Sequence, residues 1–365
     1  MNLHHRPVVR PARGFTLVEL MVGVVLGMLA VAAIAQVLVF SEGSKRSITS
    51  GADAQISGAL GLFTLQREVA MAGYGISAFP DALGCTTNYQ RGSTTASTLT
   101  LAPVIIGALS NGSNSITVLR STKPSFSVPL LVTEPHPADS TEFTVQSAFG
   151  AAAGDLFVAV PTDITTTQCR IFQVSTAPVG NKVQHVSGET APWNAGTSGI
   201  EFPASSYLLN LGSMSGQRYS VNSNSLALEV NDFNSASGGW SAAKEVQPQV
   251  VMMRALYGKD TNNDGAVDTY DAVTPTTNAG WTQVRSMRLL LIARSGQPEK
   301  SDEPTPALLQ WDVGSESDTV AGSDSCHEDR RCIPVDLSGL GNDFRNYRYK
   351  TYDTVVPLRN MLWKA

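Results

Sequence analysis

The twelve residues from Asp260 to Asp271 have the spacing of a calcium-binding loop. Oxygen-bearing side chains stand at positions one, three, five, nine and twelve, namely Asp260, Asn262, Asp264, Asp268 and Asp271. Gly265 at position six permits the sharp turn, and the carbonyl of Ala266 can supply a further ligand. We expect these oxygens to bind Ca²⁺, with reduced affinity because position twelve is an aspartate where glutamate is usual. The alternative is a polar β-turn, since Asn-Asp-Gly is a common turn composition.

A second chemically unusual residue is Glu19, the only ionisable residue between Phe15 and Phe40. This apolar run lacks proline, and as a helix it is long enough to cross a hydrocarbon core of about 30 Å. A carboxylate within a membrane helix is costly, so we expect Glu19 to have a cationic partner. The N-terminus is predicted to be cytoplasmic, and the remainder periplasmic, because arginines precede the run: Arg6, Arg10 and Arg13.

The order of the N-terminal segments differs from that of an ordinary secretory signal, in which the cleavage site follows the apolar core. Here basic residues run up to Gly14, and the apolar run starts at once with Phe15-Thr16-Leu17-Val18-Glu19. This pattern resembles the signal of the type IV prepilin and pseudopilin family. The alternative is a plain signal anchor with a stray glutamate, which would remain uncut.

The resemblance implies a role for three of these residues. A prepilin peptidase would cut between Gly14 and Phe15, and Phe15 would become the N-methylated first residue. Glu19 would then pair with the free amine of a neighbouring subunit and set the axial register during assembly.

The absence of proline between Pro11 and Pro80 predicts that the helix continues to about Ala72. The chain then divides into a leader (1–14), a transmembrane or filament-core half of the helix (15–40), an amphipathic half (41–75) and a periplasmic head (76–365). The apolar residues of the amphipathic half, which we expect to pack on the head, are Ile48, Ile56, Leu60, Phe63 and Leu65.

From Thr98 onward, short β-type runs alternate with turn residues, which predicts an antiparallel β-sheet head. With the family resemblance this implies an α+β, type IV pilin-like fold, one long N-terminal membrane-anchoring helix packed on that sheet. Surface loops are predicted at Ser235–Ser241 and Gly314–Ser325. The predicted strands are Leu99–Ile106, Ser115–Leu119, Leu130–Thr133, Phe143–Gln146, Leu156–Val160, Arg170–Val174, Leu226–Val230, Gln249–Tyr257, Val284–Ala293 and Lys350–Pro357.

Four cysteines follow the membrane segment, an even count in an oxidising compartment, which predicts two disulfides. Cys326 and Cys332 are close enough in sequence to close a small loop, which leaves Cys85 with Cys169. The alternative is a set of free buried thiols.

Four further segments are similar to the PilW-type minor pilins. These are Leu65–Gly75 at the end of the helix, Ala255–Gly258 before the aspartate loop, Val284–Ser295, and Tyr352–Asn360 near the C-terminus. The region around Cys326 and Cys332 departs from the family pattern. PilW-type proteins are similar to the J-type minor pseudopilin of type II secretion.

The resemblance implies a minor pilin of a tip complex that primes type IV pilus assembly. Its implied partners are other minor pilins, the major pilin, the prepilin peptidase, the inner-membrane assembly platform and a tip adhesin. The protein would lie in the inner membrane before incorporation and at the pilus tip afterwards. The alternatives are a J-like pseudopilin of type II secretion and a subunit for tip adhesion or partner binding.

Composition and motifs argue against two other classes of protein. The net charge is −5 and there is no basic run interleaved with aromatic residues, so nucleic acid is not expected as the main partner. No nucleophile elbow, phosphate loop or zinc-protease motif occurs, so no enzyme is expected. His185 and His327 each stand alone in the head sequence.

We predict that the protein recovered from cells begins at a methylated Phe15. The reason is that Glu19 needs the amine that cleavage after Gly14 exposes. Mass spectrometry of the N-terminal peptide measures this. Functional fibres in which the chain still begins at Met1 would contradict the assignment.

Overall fold

The computed structural model describes residue 14 and residues 16–124, 128–195, 201–298, 304–315, 319–327 and 329–362. The leader positions 1–13 and Phe15 lie outside the described residues. The chain divides into two units, Met1–Ala52 and Asp53–Ala365. The architecture is α+β, with an apolar N-terminal helix and a large head that is rich in β-sheet.

Helix α1 spans Leu17–Ala70, a length of 54 residues. Its predicted end near Ala72 is therefore confirmed to within two residues. The segment Leu17–Glu42 is long and apolar enough to cross a membrane, and its most apolar window has no buried residue. Exposed apolar side chains extend along this segment from Leu17, which is 76% exposed, to Phe40, which is 81% exposed.

The head contains short strands and two short helices. The first ten strands are β1 Thr86–Tyr89, β2 Ser97–Thr100, β3 Val104–Ile106, β4 Ile116–Arg120, β5 Leu130–Leu131, β6 Glu142–Thr144, β7 Leu156–Val160, β8 Cys169–Gln173, β9 Lys182–Gln184 and β10 Tyr207–Gly212. The next seven are β11 Ser215–Asn222, β12 Ala227–Asn234, β13 Gly239–Trp240, β14 Lys244–Pro248, β15 Val250–Lys259, β16 Thr269–Asp271 and β17 Val284–Arg294. The last five are β18 Leu308–Ser315, β19 Thr319–Val320, β20 Asp324–His327, β21 Arg330–Asp336 and β22 Tyr349–Pro357, and the helices are α2 Asn278–Thr282 and α3 Arg359–Leu362.

These strands form three larger sheets and two small ones. The larger sheets have the orders β2-β1-β8-β7-β10-β5, β13-β12-β11-β4-β3 with β14 also on β12, and β19-β16-β15-β17-β22. The small ones are β18-β21-β20 and the pair β6-β9. Pairing is antiparallel except between β1 and β8 and between β16 and β19. The predicted antiparallel character is confirmed for most of the head.

Each of the ten predicted runs overlaps a strand, and Leu156–Val160 coincides with β7. The prediction of Gly314–Ser325 as a surface loop is wrong, because this stretch includes the end of β18, all of β19 and the start of β20. Ser235–Ser241 contains the short β13. The strands β10, β11, β18 and β21 were not predicted, although Trp311 and Val313 of β18 alternate with exposed residues as a half-buried strand does.

One central core lies between α1 and the three larger sheets, and two smaller cores flank it. The central core includes Leu65 and Val69 of α1, Leu289 and Leu291 of β17, and Val356 of β22. A second core lies on the other face of the β7–β8 sheet, and a third lies between β15, β17 and the β18–β21 sheet. The third core explains why the segment around β18 to β21 is ordered into strands.

The helix face that packs on the head is not the predicted one. Of the predicted residues, Leu65 is buried, whereas Ile56, Leu60 and Phe63 are 58%, 47% and 63% exposed; the side chain of Ile48 lies outside the described residues. The buried positions follow helical spacing and are mostly small: Ala54, Ser57, Gly58, Gly61, Leu65, Glu68, Val69 and Ala72.

Glycine allows this close packing. A Cβ atom at Gly58 would overlap the ring of Tyr352 on β22, and one at Gly61 would lie 3.2 Å from Cδ1 of Leu291 on β17. The Tyr352 hydroxyl donates to the carbonyl of Gln55, 3.1 Å away. The ring can lie against the helix backbone because Gly58 has no side chain.

Two disulfides tie parts of the head together. Cys85–Cys169 joins the segment before β1 to β8, with the Cα atoms 6.0 Å apart and both residues buried. Cys326–Cys332 links β20 to β21, with the Cα atoms 5.6 Å apart. The first bond lies beside the parallel pair β1 and β8 in one of the two six-stranded sheets, and the second joins the two strands on either side of a turn in the small three-stranded sheet.

We predict that Gly58→Ala destabilises the head. The added methyl meets the Tyr352 ring, and overpacking of this kind costs about 1–3 kcal/mol, more than the gain of up to about 1 kcal/mol in helix propensity. Thermal unfolding of the full-length protein in detergent, followed by circular dichroism, measures the effect.

Gly51→Ala is the matched control, since a Cβ atom there has no neighbour within 4 Å. It should leave the melting temperature of the head unchanged or slightly raised. In a Tyr352→Ala background the Gly58→Ala change should lose most of its cost. A Gly58→Ala variant as stable as the wild type would contradict the packing argument.

Candidate functional site

The start of α1 is closed by a reciprocal pair of hydrogen bonds between Thr16 and Glu19. The backbone N–H of Glu19 donates to Oγ1 of Thr16 at 3.2 Å, and the backbone N–H of Thr16 donates to Oε2 of Glu19 at 3.4 Å. This is a capping box, in which two N–H groups without helical partners are satisfied. The Thr-x-x-Glu spacing before an apolar run is its sequence signal, and the sequence analysis missed it.

Glu19 is exposed and has no cationic partner within the described part of the chain. Gly14 is also exposed, while Phe15, the residue predicted to be methylated, lies outside the described residues. The carboxylate lies in the first turn of the helix, where the helix dipole favours negative charge. The local cap and the dipole both reduce the cost of this charge.

The part of α1 in the head unit has a second apolar face, formed by Ile56, Leu60 and Phe63 and called here the outer stripe. These residues are spaced by four and three positions, so they lie on one side of the helix. They lie on the opposite side of the helix from the small residues that pack on the sheets. Ile56 and Phe63 are more than half exposed, and Leu60 is 47% exposed. A surface helix of a monomer normally carries polar residues on that side.

Polar contacts hold the end of α1 in place against the head. Glu68 is buried, and its Oε2 lies 3.0 Å from Nη1 of Arg120 on β4. Beyond the helix end, the Asn360 side chain on α3 donates to the carbonyls of Met71 and Ala72, at 3.2 and 2.9 Å. These contacts hold the end of α1 in one orientation on the head, so the outer stripe faces away from the sheets.

The aspartate loop connects β15 to β16 and is folded around Asp260, which is fully buried. The carboxylate of Asp260 accepts hydrogen bonds from the backbone N–H groups of Asp264 and Gly265, at 3.0 and 3.1 Å. It also forms an ion pair with Arg285 of β17, whose Nη2 lies 3.1 Å from Oδ2. Gly265, where the sequence predicted a sharp turn, has φ +93°, a backbone conformation that favours glycine.

The other predicted ligands have partners inside the loop or next to it. Both carboxylate oxygens of Asp271 accept from Nζ of Lys259, at 2.7 and 2.8 Å. Asp268 accepts from the Thr261 hydroxyl at 2.8 Å and from the backbone of Thr261 and Asn262, and these hydrogen bonds lower the pKa of its carboxyl.

The remaining hydrogen bonds in the aspartate loop, and the distances between its carboxylates, can be compared with those of a metal site. Asp264 accepts from the backbone N–H of Ala266 at 2.8 Å, and Asn262 accepts from that of Asp264 at 3.0 Å. Within the described residues, no three loop carboxylates come within 4.8 Å of one another. Lys259 therefore balances the negative charge of Asp271, and Arg285 balances that of Asp260.

The structure brings together two histidines that the sequence analysis did not connect. His136 and His185 are both buried, and their Nε2 atoms are 2.8 Å apart. His185 therefore does not stand alone, which corrects the sequence analysis. Burial, with a smaller effect from His136, lowers the pKa of His185 to about 4. His185 is therefore neutral at ordinary pH, and both rings pack beside Phe143 in the second core.

Family models match two regions of the chain, one near each end. The family described as type IV pilus-assembly protein W matches residues 217–360, which include the aspartate loop and the Cys326–Cys332 disulfide. The prokaryotic N-terminal methylation motif matches residues 9–35, which include Gly14, Phe15 and Glu19.

A search of curated proteins gives no significant match. The two family matches lie at opposite ends of the chain: one describes a prokaryotic N-terminal methylation motif and the other a type IV pilus-assembly protein. Together the two matches support a PilW-type type IV minor pilin.

Proposed function

We propose that this protein is a minor pilin that joins other pilin subunits through α1 in a tip complex that initiates pilus assembly. The observation that carries the proposal is the apolar surface of the helix, which is exposed along Leu17–Glu42 and again at the outer stripe. Such surfaces are stable only in a membrane or against other proteins. A prepilin passes from the first environment to the second as it enters the fibre.

In this proposal, each predicted N-terminal residue takes part in one step of processing or assembly. Prepilin peptidase cuts after Gly14, Phe15 is N-methylated, and Glu19 pairs with the amine of a neighbouring subunit. Before assembly the protein is a single-pass inner-membrane protein with its head in the periplasm. Afterwards it lies at the pilus tip, in contact with minor pilins, the major pilin and a tip adhesin.

Two other functions fit the same family. A J-like pseudopilin of type II secretion would use the same helix in a periplasmic pseudopilus. A tip adhesion or partner-binding subunit would depend on the head instead. Deletion of the gene distinguishes these two functions. Loss of protein export would indicate the J-like pseudopilin, and normal fibres that fail to attach would indicate the adhesion or partner-binding subunit.

We predict that deletion of the gene abolishes piliation and that the wild-type chain restores it. A triple variant of the outer stripe, Ile56→Ser, Leu60→Ser and Phe63→Ser, should reach the membrane in normal amounts but restore few fibres. The reason is that it loses the apolar surface offered to neighbouring subunits. Electron microscopy and quantification of sheared pili measure the outcome.

The matched control replaces exposed apolar residues elsewhere in the head, with Val179→Ser and Val273→Ser, which are 83% and 68% exposed in the wild type. This variant should restore piliation fully. Normal piliation by the outer-stripe variant would count against assembly through α1, and normal piliation of the deletion strain would reject the priming role.

We further propose that the aspartate loop binds Ca²⁺ through Asp260, Asn262, Asp264, Ala266, Asp268 and Asp271. The support is the ligand spacing together with the turn at Gly265. In this chain the ion would compete with Arg285 for Asp260 and with Lys259 for Asp271. Binding would therefore require both cationic side chains to move, which adds to the weakening expected from the short Asp271.

We predict that Ca²⁺ raises the melting temperature of the full-length protein in detergent relative to a chelator. A ligand at 100 times its Kd stabilises the folded state by about 2.7 kcal/mol. Asp264→Asn should remove the response, while Asp163→Asn, in a different aspartate turn, should keep it. A chelator that changes neither the melting temperature nor the metal content would rule the site out.

A further inference from the structure

A groove of about 550 Å³ lies beside the paired strands β1 and β8, and its lining includes no residue of α1 or of the aspartate loop. Its walls come from β1, from β8 and the turn before it, and from Glu201. The lining residues used below are Asn88, Thr167, Gln168, Arg170 and Glu201. The disulfide between Cys85 and Cys169 fixes β1 beside β8, so this groove has a rigid floor.

Arg170 is the unusual member of this groove. Its side chain is half-buried, and within the described chain it has no hydrogen bond or ion pair. Burial without a compensating carboxylate lowers the pKa of its guanidinium. By contrast, the buried arginines Arg285 and Arg288 are each paired with an aspartate. A guanidinium that has lost part of its hydration without gaining a partner is available to an anionic ligand.

The groups around Arg170 narrow the type of ligand. Asn88 is its register partner on the neighbouring parallel strand, so both side chains lie on the same face of the sheet. The Asn88 amide donates to the Gln168 side-chain carbonyl, which orients both amides. Thr167 supplies a hydroxyl and Glu201 an exposed carboxylate acceptor. A ligand with one carboxylate and several hydroxyl groups would match this set.

We propose that this groove binds a carboxylated sugar, with the carboxylate on Arg170 and the sugar hydroxyls on Asn88, Thr167 and Glu201. Arginine binds a carboxylate with two parallel hydrogen bonds, which lysine cannot reproduce. The volume of the groove suits one or two sugar rings, because small-molecule sites typically measure about 300–1,000 Å³. An acidic peptide is less suitable, since the walls named above are hydroxyl, amide and carboxylate groups with no apolar anchor.

In the experiment, the full-length protein in detergent is titrated with D-glucuronate. Isothermal titration calorimetry and saturation-transfer NMR measure the binding. We expect a Kd on the order of 1 mM. D-glucose has the same ring without the carboxylate and should bind at least about tenfold more weakly. Inorganic phosphate is included to distinguish a sugar site from a general anion site.

Arg170→Gln should weaken glucuronate binding at least about tenfold, and Arg170→Lys should give an intermediate affinity. The matched control is Arg254→Gln. Arg254 lies on β15, is also half-buried, has a pKa lowered by burial, and does not line the groove. It should bind glucuronate as the wild type does. If Arg170→Gln fails to fold, the Arg170→Lys variant provides the comparison.

Four results would overturn the proposal. The first is glucose binding as tightly as glucuronate. The second is unchanged glucuronate affinity in a folded Arg170→Gln or Arg170→Lys protein. The third is phosphate binding as tightly as glucuronate at the same residues, which would make the groove a simple anion site. Absence of glucuronate binding up to about 10 mM would also reject it.

Discussion

The close contact between α1 and the head is the constraint on which the rest of the structure depends. Gly58 and Gly61 let the helix backbone approach β22 and β17, which brings Leu65 and Val69 fully into the central core. Burial of a side chain of this size contributes about 1.5–3 kcal/mol. The small residues therefore decide which side of the helix is covered by the head, and the large apolar residues of the outer stripe remain exposed.

This arrangement explains why the sequence predicted the helix but not its buried face. The length of α1 follows from the missing proline and the apolar run, both of which are visible in the sequence. The face was assigned by the usual rule that large apolar residues point to the core, which favoured Ile56, Leu60 and Phe63. The rule fails here because the contact is made by glycine, alanine and serine, and the closest ring, Tyr352, comes from almost 300 residues later in the chain.

The head shows a similar division between local and long-range information. Strands with a continuous apolar run, such as β7 and β17, could be predicted because the signal lies in five consecutive residues. β11 and β21 could not, since their exposed side is polar and β21 contains Pro334. The aspartate loop shows the same limit. Its turn and ligand spacing are local, whereas the Arg285 guanidinium that pairs with Asp260 comes from the neighbouring strand.

Glu19 is where the local structure and the proposed assembly step meet, and the two are compatible. The capping bonds from Thr16 both use Oε2, and within the described residues no hydrogen bond reaches Oε1. An ionised carboxylate has about four acceptor positions. An incoming amine can therefore bind Glu19 without breaking the cap. Because the cap also fixes the rotamer of Glu19 before the amine arrives, less side-chain entropy is lost on pairing, and the carboxylate is held in position at the start of the helix.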